Sequence, residues 1–395
     1  MRTTLVIVVC AAAIFLIGAL SFWVGMQTIG QSNVSSSSVA SSSSSIAPPP
    51  PPRPISVALD TRFFGVVFWG RYVQDWSEAS ELKTAFPFSG LSTLGKTSGE
   101  NWIASLNCPL TLSSPTSAQQ DETLMFNCRP EYLPEATKWF DVFALANSHV
   151  DNQGPAGFVS TKQYLDDYSI QYFGHSDKEV TSDICEVVRM QAVVTYSDGA
   201  KKSQGFPLAL CGFHNTFSLP TEKHYAEIEK VSSKLLTVVY FNQGAEYNVN
   251  ADGLQRASAR EFVARGADLV VGQGAHQVQD SEVIDGRLVV YSMGNFIYDQ
   301  QFNQEVRQSA SIRAQLDLPV DKLVEEWLVV GDMCKVFQSG CETSIGQGKK
   351  PVPQWKFEAA VFDNTGKVAN VANETVTNNV LNRLRWSQNM QALGR

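Results

Sequence analysis

After residue 54, short apolar runs alternate with stretches whose apolar residues recur at helical spacing. Each apolar run is rich in β-branched or aromatic residues, as β-strands are. This alternation predicts an α/β fold and argues against an all-β or an all-α fold. We predict strands at residues 62–68, 142–146, 187–196, 235–241, 268–271 and 288–292.

Two helices are predicted between these strands. The first spans residues 158–168, and Pro155 and Gly157 mark its start. The second spans residues 254–265 and ends at Gly266, because glycine readily takes the left-handed backbone that often follows a helix.

The N-terminal region has a different pattern, because residues 4–26 form one apolar run without a charged side chain. This is close to the roughly 20 residues that a helix needs to cross a bilayer. Arg2 is the only charged residue before the run and none follows until Arg53, so we place the N-terminus in the cytoplasm. A cleaved signal peptide is the alternative, but no small-residue cleavage site follows the run. We predict a single-pass anchor at residues 1–30, with the rest of the chain extracytoplasmic.

Residues 31–54 are rich in serine and then in proline. Such a composition cannot form a packed core, so we predict a disordered linker between the anchor and the folded part. The formal net charge of the chain is -8, and no cluster of basic residues interrupts it. A nucleic-acid partner is therefore not expected.

The chain has seven cysteines, and all except Cys10 lie outside the predicted anchor. An even number of cysteines in an oxidising compartment predicts disulfides. No pair has C-x-x-C spacing, which argues against a zinc site. Proximity in sequence favours Cys108 with Cys128, Cys185 with Cys211 and Cys334 with Cys341, although the sequence alone leaves other pairings open.

Polar clusters follow four of the predicted strands, at residues 147–149, 242–247, 272–276 and 294–295. In α/β sheets the loops at the carboxyl ends of the strands converge on one crevice, so we expect these clusters to share one site. Each cluster taken alone is also what an ordinary turn looks like, because glycine, asparagine and serine are the usual turn formers.

The segments around these clusters resemble the CapA family, which is linked to capsule or poly-γ-glutamate synthesis. They read FFGVVFWGRYV (63–73), NWIASLNCPLT (101–111), FDVFALANSHVDNQGPAG (140–157), IQYFGH (170–175), VVYFNQGAEYN (238–248), GADLVVGQGAHQVQ (266–279) and VVYSMGNFIYDQ (289–300). The resemblance implies a metallophosphatase-like αββα sandwich at residues 55–305. We expect residues 306–395 to form a C-terminal extension that packs on the same domain.

Most of the metal ligands that this resemblance implies are substituted here. Val66, Asn107, Ser148, Asn242 and Gln273 stand at ligand positions, and His276 is the one strong donor that remains among the six. A pair of dications without a carboxylate ligand would be left with uncompensated charge. We therefore expect no cofactor, and a divalent metal only if other residues, such as Asp151 or Glu246, take over as ligands.

Other residues typical of the family are retained, and the resemblance suggests roles for them. If the site is active, His149 and Glu246 are the candidate catalytic residues. The candidate substrate-binding residues are Arg71, Asn147, Tyr247 and Asn295. Structural roles are open for the same side chains: a loop histidine that is only hydrogen-bonded, an arginine in an ion pair and a glutamate that caps backbone N–H groups.

Three hypotheses follow for the function. The first is a pseudoenzyme that binds an anionic envelope polymer, of the poly-γ-glutamate type, or envelope-biosynthesis proteins. The second is an active CapA-type hydrolase with a reduced or rearranged metal site. The third is a structural envelope protein whose cleft is vestigial. In each case the predicted N-terminal helix would hold the protein on the cell membrane.

Overall fold

The computed structural model describes residues 50–334, 344–346 and 350–394. Residues 51–395 cluster as one compact unit. The predicted anchor and all but the last residues of the predicted linker lie outside the described residues. Within the described ranges, no helix is both long and apolar enough to span a bilayer.

The unit is a mixed α/β fold built on one large mixed sheet of 14 strands. The strands are β1 (Pro54–Val67), β2 (Glu100–Leu106), β3 (Val142–Ala144), β4 (Gln171–Phe173), β5 (Cys185–Tyr196), β6 (Lys201–His214), β7 (Thr237–Asn242), β8 (Leu269–Gln273), β9 (Ser281–Ile284), β10 (Arg287–Val290), β11 (Asn295–Ile297), β12 (Gln308–Pro319), β13 (Lys356–Asp363) and β14 (Asn370–Val371).

Helices and short 3-10 segments connect these strands. The α-helices are α1 (Arg71–Ala79), α2 (Ser117–Thr123), α3 (Leu133–Ala136), α4 (Gly154–Asp167), α5 (Glu222–Ser232), α6 (Gly253–Ala264), α7 (Gln304–Arg307), α8 (Lys322–Met333), α9 (Glu374–Arg383) and α10 (Trp386–Ala392). The 3-10 helices are Lys83–Leu94 and Pro130–Tyr132.

The long strand β1 belongs to two arms of the sheet. Its N-terminal half lies between β5 and β12, antiparallel to both. Its C-terminal half pairs in parallel with β2 and β11. One arm continues from β2 through β3 to β4, and the other from β5 through β6, β7, β8 and β10 to β9.

The two arms face each other across a buried interior. The hydroxyl of Tyr240 on β7 lies 3.1 Å from the carbonyl oxygen of Phe64 on β1 and 3.2 Å from that of Ile103 on β2. All residues of β7 and β8 are buried, as expected for parallel strands covered on both faces. This explains why these strands read as continuous apolar runs in the sequence.

The predicted strands and helices are found, with changes at their ends. The strand predicted at residues 62–68 begins eight residues earlier, because the first half of β1 buries only alternate side chains and so lacks a continuous apolar run. The helix predicted at residues 158–168 is α4 and begins at Gly154, because Pro155 fits the first turn of a helix. The other predicted helix is α6, and Gly266 after it has a φ of 98°.

Two of the three predicted disulfides are confirmed. Cys108 is bonded to Cys128, and Cys185 is bonded to Cys211, which lies directly opposite it on the neighbouring strand. Cys334 is also disulfide-bonded, but its predicted partner Cys341 lies outside the described residues. Disulfides are typical of oxidising compartments, which agrees with the extracytoplasmic location predicted for the folded unit.

The described residues after 305 contribute strands β12, β13 and β14 to the same sheet. Strand β12 pairs with nine residues of β1, and β13 pairs with β12 on its other side. The helix α8 packs against β6, and α9 packs against β13. The C-terminal residues therefore complete the arm that carries the first half of β1.

Candidate functional site

The polar segments that follow the strands lie close together in one region, which we call the cleft. Two hydrogen bonds show the convergence: the side-chain amide of Gln273 donates to the carbonyl of Ala146 at 3.5 Å, and that of Asn107 donates to the hydroxyl of Tyr298 at 3.4 Å. The first bond joins the ends of β8 and β3. The second joins the end of β2 to the residue that follows β11. The backbone N–H of Tyr247 donates to the carbonyl of Ala275, and Nδ1 of His276 lies 2.9 Å from Oδ1 of Asn295. The strand-end clusters therefore meet, as predicted.

Arg71 lies buried at the base of the cleft, at the start of α1. Its Nε and Nη2 donate to the two carboxylate oxygens of Asp299 at 2.5 and 2.6 Å. Nη1 donates to Asp121 at 3.0 Å, and the guanidinium lies 4.7 Å from the ring centre of Phe126. Burial alone would lower the pKa of Arg71, but the hydrogen bonds and charge of Asp299 raise it above its ordinary value. Arg71 is therefore a permanently charged and firmly held group.

His149 stacks on the same Phe126 ring that the guanidinium of Arg71 contacts. The centres of the two rings lie 4.1 Å apart, and Nδ1 of His149 lies 2.9 Å from Oδ1 of Asn152. That oxygen also accepts from the backbone N–H of Phe126, so the proton of the neutral ring lies on Nδ1 and Nε2 keeps its lone pair. Burial lowers the pKa of His149 to about 4. At pH 7 it is a neutral imidazole and holds no second proton to donate.

A chain of hydrogen bonds links the buried side chain of His276 to the exposed side chain of Tyr247. Nδ1 of His276 lies 2.9 Å from Oδ1 of Asn295, the amide of Asn295 donates to Gln300 at 2.9 Å, and Gln300 donates to the hydroxyl of Tyr247 at 2.9 Å. Burial lowers the pKa of His276, although the bond to Asn295 and the charge of Glu246 oppose this change. Nε2 of His276 faces Oε1 of Glu246 at 3.8 Å.

The exposed residues next to His276 are Tyr247, Phe302 and Glu246, and we call them the rim of the cleft. The ring of Tyr247 stacks on that of His276, and Phe302 meets Tyr247 edge-on at 5.2 Å. Tyr247 is 42% exposed and Phe302 is 63% exposed, while the side chain of Glu246 is 56% exposed. The rim thus offers apolar faces and a carboxylate to a ligand in solution.

Three cleft residues have left-handed backbones that non-glycine residues seldom adopt. The φ angles are 45° at Arg71, 59° at Tyr247 and 60° at His276. Each such conformation costs on the order of 1 kcal/mol and tends to occur where side chains are held for function. These three backbone conformations therefore lower the stability of the fold, and the surrounding contacts must hold the residues in position.

The side chain of Asn147 joins its own loop to the end of β2. Its side-chain amide donates to the carbonyl of Leu106 at 2.5 Å, and its Oδ1 accepts from the backbone N–H groups of His149 and Val150. These bonds connect the loop after β3 to the end of β2 and leave the side chain buried. Asn147 holds His149 in place in this structure.

The positions of the implied metal ligands do not provide a donor set for two dications. Val66 packs in an apolar cluster, and Ser148 is exposed to solvent. The buried side-chain oxygens of Asn107 and Gln273 accept no hydrogen bond from the described residues, and Asn242 is buried beside Gln273 on the next strand. In the described ranges, no three His, Cys, Asp or Glu residues lie together as metal ligands would. These neutral amides do not fit a dinuclear centre.

Several residues of the cleft escaped the sequence reasoning. Asp299 is the fully buried partner of Arg71, and Phe126 and Asn152 orient His149. Asp299 lies inside one of the quoted segments, two residues after β11, so the sequence could have added it to the candidate residues of the cleft but could not have paired it with Arg71. Phe126 gives no comparable signal, because aromatic residues are common in every part of the core.

Comparison with known proteins identifies the family. The family described as bacterial capsule synthesis protein PGA_cap matches residues 62–300. This chain belongs to that family. The match includes the segments that contain Arg71, His149, His276 and Asn295. It ends before β12 and the rest of the C-terminal region.

Two curated relatives carry the name CapA. The capsule biosynthesis protein CapA of Bacillus anthracis is 25% identical over 264 residues, which cover 64% of this chain and 62% of that protein. The chain thus spans a little under two thirds of that relative. The PGA biosynthesis protein CapA of Bacillus subtilis (strain 168) is 25% identical over 272 residues, covering 65% of this chain and 68% of that protein.

Among solved structures, the chain is similar to that of a hypothetical protein from Thermus thermophilus. The similarity has 12% sequence identity and a TM-score of 0.39, and it covers 67% of this chain and 96% of that one.

Proposed function

We propose that this protein is a membrane-anchored CapA-like pseudoenzyme that binds a capsule or cell-envelope polymer of the poly-γ-glutamate type. The observation that carries the proposal is the contrast within the cleft. Five of the six metal-ligand positions carry uncharged side chains that are weak ligands or none, whereas Arg71, Tyr247 and Asn295 are held by specific contacts. A cleft that keeps its recognition groups without metal donors is suited to binding.

The fold that we propose is the αββα sandwich of the metallophosphatases. The two arms that share β1 and face each other through Tyr240 support it. In such a sandwich the carboxyl ends of the parallel strands meet on one side, which is where the cleft lies. The family membership of residues 62–300 agrees with this interpretation.

Two dications bound in the cleft would need negatively charged ligands to balance their charge. Each dication taken from water into a partly buried site needs negative ligands, because the cost of desolvation is otherwise several kcal/mol per ion. Asn107, Asn242 and Gln273 offer neutral oxygens only, and Val66 offers none. We therefore propose that the protein has no metal cofactor and does not carry out the two-metal hydrolysis of phosphoesters.

We propose the class of ligand from the aromatic and charged side chains of the cleft. Tyr247 and Phe302 present flat apolar surfaces, and Arg71 is the buried cation of the cleft. A polymer with an amide backbone can lie against aromatic rings, and its carboxylates match a guanidinium. We further propose that residues 1–30 anchor the protein in the cell membrane and that residues 31–54 let the folded unit reach the polymer.

The proposal is tested by binding and turnover of poly-γ-glutamate with the full chain in detergent. Tyr247→Ala should weaken binding at least roughly fivefold, as truncation of a contacting aromatic side chain usually does. Tyr168→Ala is the matched control, because this tyrosine is 38% exposed and follows the far end of α4. Equal binding by wild type and Tyr247→Ala, or turnover of the polymer by the wild type, would contradict the proposal.

The second candidate is a hydrolase with a reduced or rearranged site. One observation favours it: Nε2 of His276 lies 3.8 Å from Oε1 of Glu246, so an imidazole and a carboxylate lie side by side in the cleft. The wild type, His149→Ala and His276→Ala should be compared on phosphoesters and γ-glutamyl peptides. Wild-type turnover that both substitutions abolish would establish this function, and a shared background rate would exclude it.

A further inference from the structure

Arg71 is paired with two carboxylates that differ in how firmly they are held. Asp299 is fully buried and makes two short hydrogen bonds to the guanidinium. Asp121 makes one bond at 3.0 Å from the short helix α2, and 52% of its side chain is exposed. Its other oxygen lies 3.5 Å from the hydroxyl of Tyr72, a weak contact.

The two carboxylates together exceed the charge of Arg71. A single positive charge faces two negative charges, so the group of three has a net charge of -1. A third carboxylate from a ligand would be repelled as long as both protein carboxylates stayed in place. The cleft as it stands therefore disfavours the anionic ligand that Arg71 could otherwise recognise.

We propose that Asp121 is a displaceable carboxylate that occupies the place of a ligand carboxylate on Nη1 of Arg71. This inference rests on the proposed binding function and adds a step to it. Asp299 and the ring of Phe126 hold the guanidinium while Asp121 swings into solvent. The ligand carboxylate then restores the same charge balance. Binding thus exchanges one carboxylate for another.

The exchange limits affinity and sets specificity. A ligand must compete with an ion pair whose carboxylate is half exposed, and this competition weakens the binding of the ligand by up to about fivefold. Only a group with the charge and shape of a carboxylate can accept the charge-assisted hydrogen bond from Nη1 in place of Asp121. A neutral ligand leaves Asp121 in place and gains nothing from its removal. Substituting Asp121 should therefore affect the two kinds of ligand differently.

The experiment is isothermal titration calorimetry at low salt with the full chain in detergent. The probes are a γ-linked glutamate decamer and the same decamer with its free carboxylates amidated. Asp121→Asn is compared with Glu122→Gln, which removes an equal charge from the next residue of α2, a residue not paired with Arg71 among the described ion pairs. Thermal unfolding of both variants checks that the fold is kept.

We expect Asp121→Asn to bind the glutamate decamer roughly fivefold more tightly than the wild type. Glu122→Gln should stay within about twofold, the effect of one screened surface charge. The amidated decamer should show no gain. Wild-type binding with no gain in Asp121→Asn, or an equal gain in Glu122→Gln, overturns the exchange and leaves the binding function intact. If neither the wild type nor Asp121→Asn binds the decamer, the proposed function fails as well.

Discussion

The lowered pKa of His149 makes a quantitative prediction about stability at acid pH. In the unfolded chain the imidazole has its ordinary pKa of 6.5, whereas in the folded protein burial lowers the pKa to about 4. Between these values the unfolded state binds a proton that the folded state does not, so stability falls as the pH falls. For one such group the loss between pH 7.5 and pH 5 is about 2 kcal/mol.

His149→Gln is the perturbation that isolates this contribution. Glutamine does not titrate, so the variant should lose about 2 kcal/mol less than the wild type over the same pH interval. Its stability is also lowered at both pH values, because the contact with Phe126 is lost, and the difference between the two pH values removes that effect. His175→Gln is the control, because burial lowers the pKa of His175 less strongly.

The assay is urea unfolding with the disulfides intact, at pH 7.5 and at pH 5, for the wild type and both variants. A titration of the imidazole signals by NMR gives the pKa of His149 directly. If the wild type and His149→Gln lose the same stability between the two pH values, or if the NMR titration places the pKa near 6.5, the ring is not buried as described. The neutral state assigned to His149 at pH 7 would then be wrong.

Two further predictions concern the scaffold. Replacing Cys108 and Cys128 together by serine should lower the free energy of unfolding by about 3 kcal/mol, since the bond closes a loop with a sequence separation of 20; a loss below about 1 kcal/mol in urea unfolding would contradict this. Gly272→Ala places a methyl group 2.0 Å from the carbonyl oxygen of Tyr291 and should cost about 3 kcal/mol. Gly253→Ala, with open space around the added carbon, should be near neutral, and equal melting temperatures for both glycine variants would refute the close approach.

The sequence predicts best those elements whose residues are buried on every side. Strands β7 and β8 stand out because all their residues are apolar or small until the last position. Helix α6 is recognisable from its apolar spacing and from Gly266 after its end. Strand β12 was not predicted because several of its buried residues are polar, including Gln308 and Ser309. Its place in the sheet depends on pairing with β1, which no local pattern reveals.

In the site, too, local sequence patterns predict some features, while contacts between residues distant in sequence are missed. The convergence of the strand-end loops follows from the geometry of parallel sheets, whereas the resemblance to the CapA family singled out His149, His276 and Asn295. The partner of Arg71 could not be identified in either way, because Asp299 is 228 residues away in sequence. Asn295 likewise contacts His276, 19 residues away in sequence. Because such contacts join distant parts of the chain, the charge states and hydrogen bonds of the cleft residues are not predictable from sequence.

We propose that the cleft cannot hold a pair of divalent cations, because neutral side chains stand at most of the positions where ligands are needed. The test is metal analysis by mass spectrometry of the full chain, purified without chelators and then dialysed against manganese, iron and zinc in turn. A variant that combines Val66→Asp, Asn107→Glu and Asn242→His serves as the positive control. We expect well under one metal ion per wild-type chain and an increased metal content in the variant. Two tightly bound ions per wild-type chain, together with phosphatase activity, would contradict it.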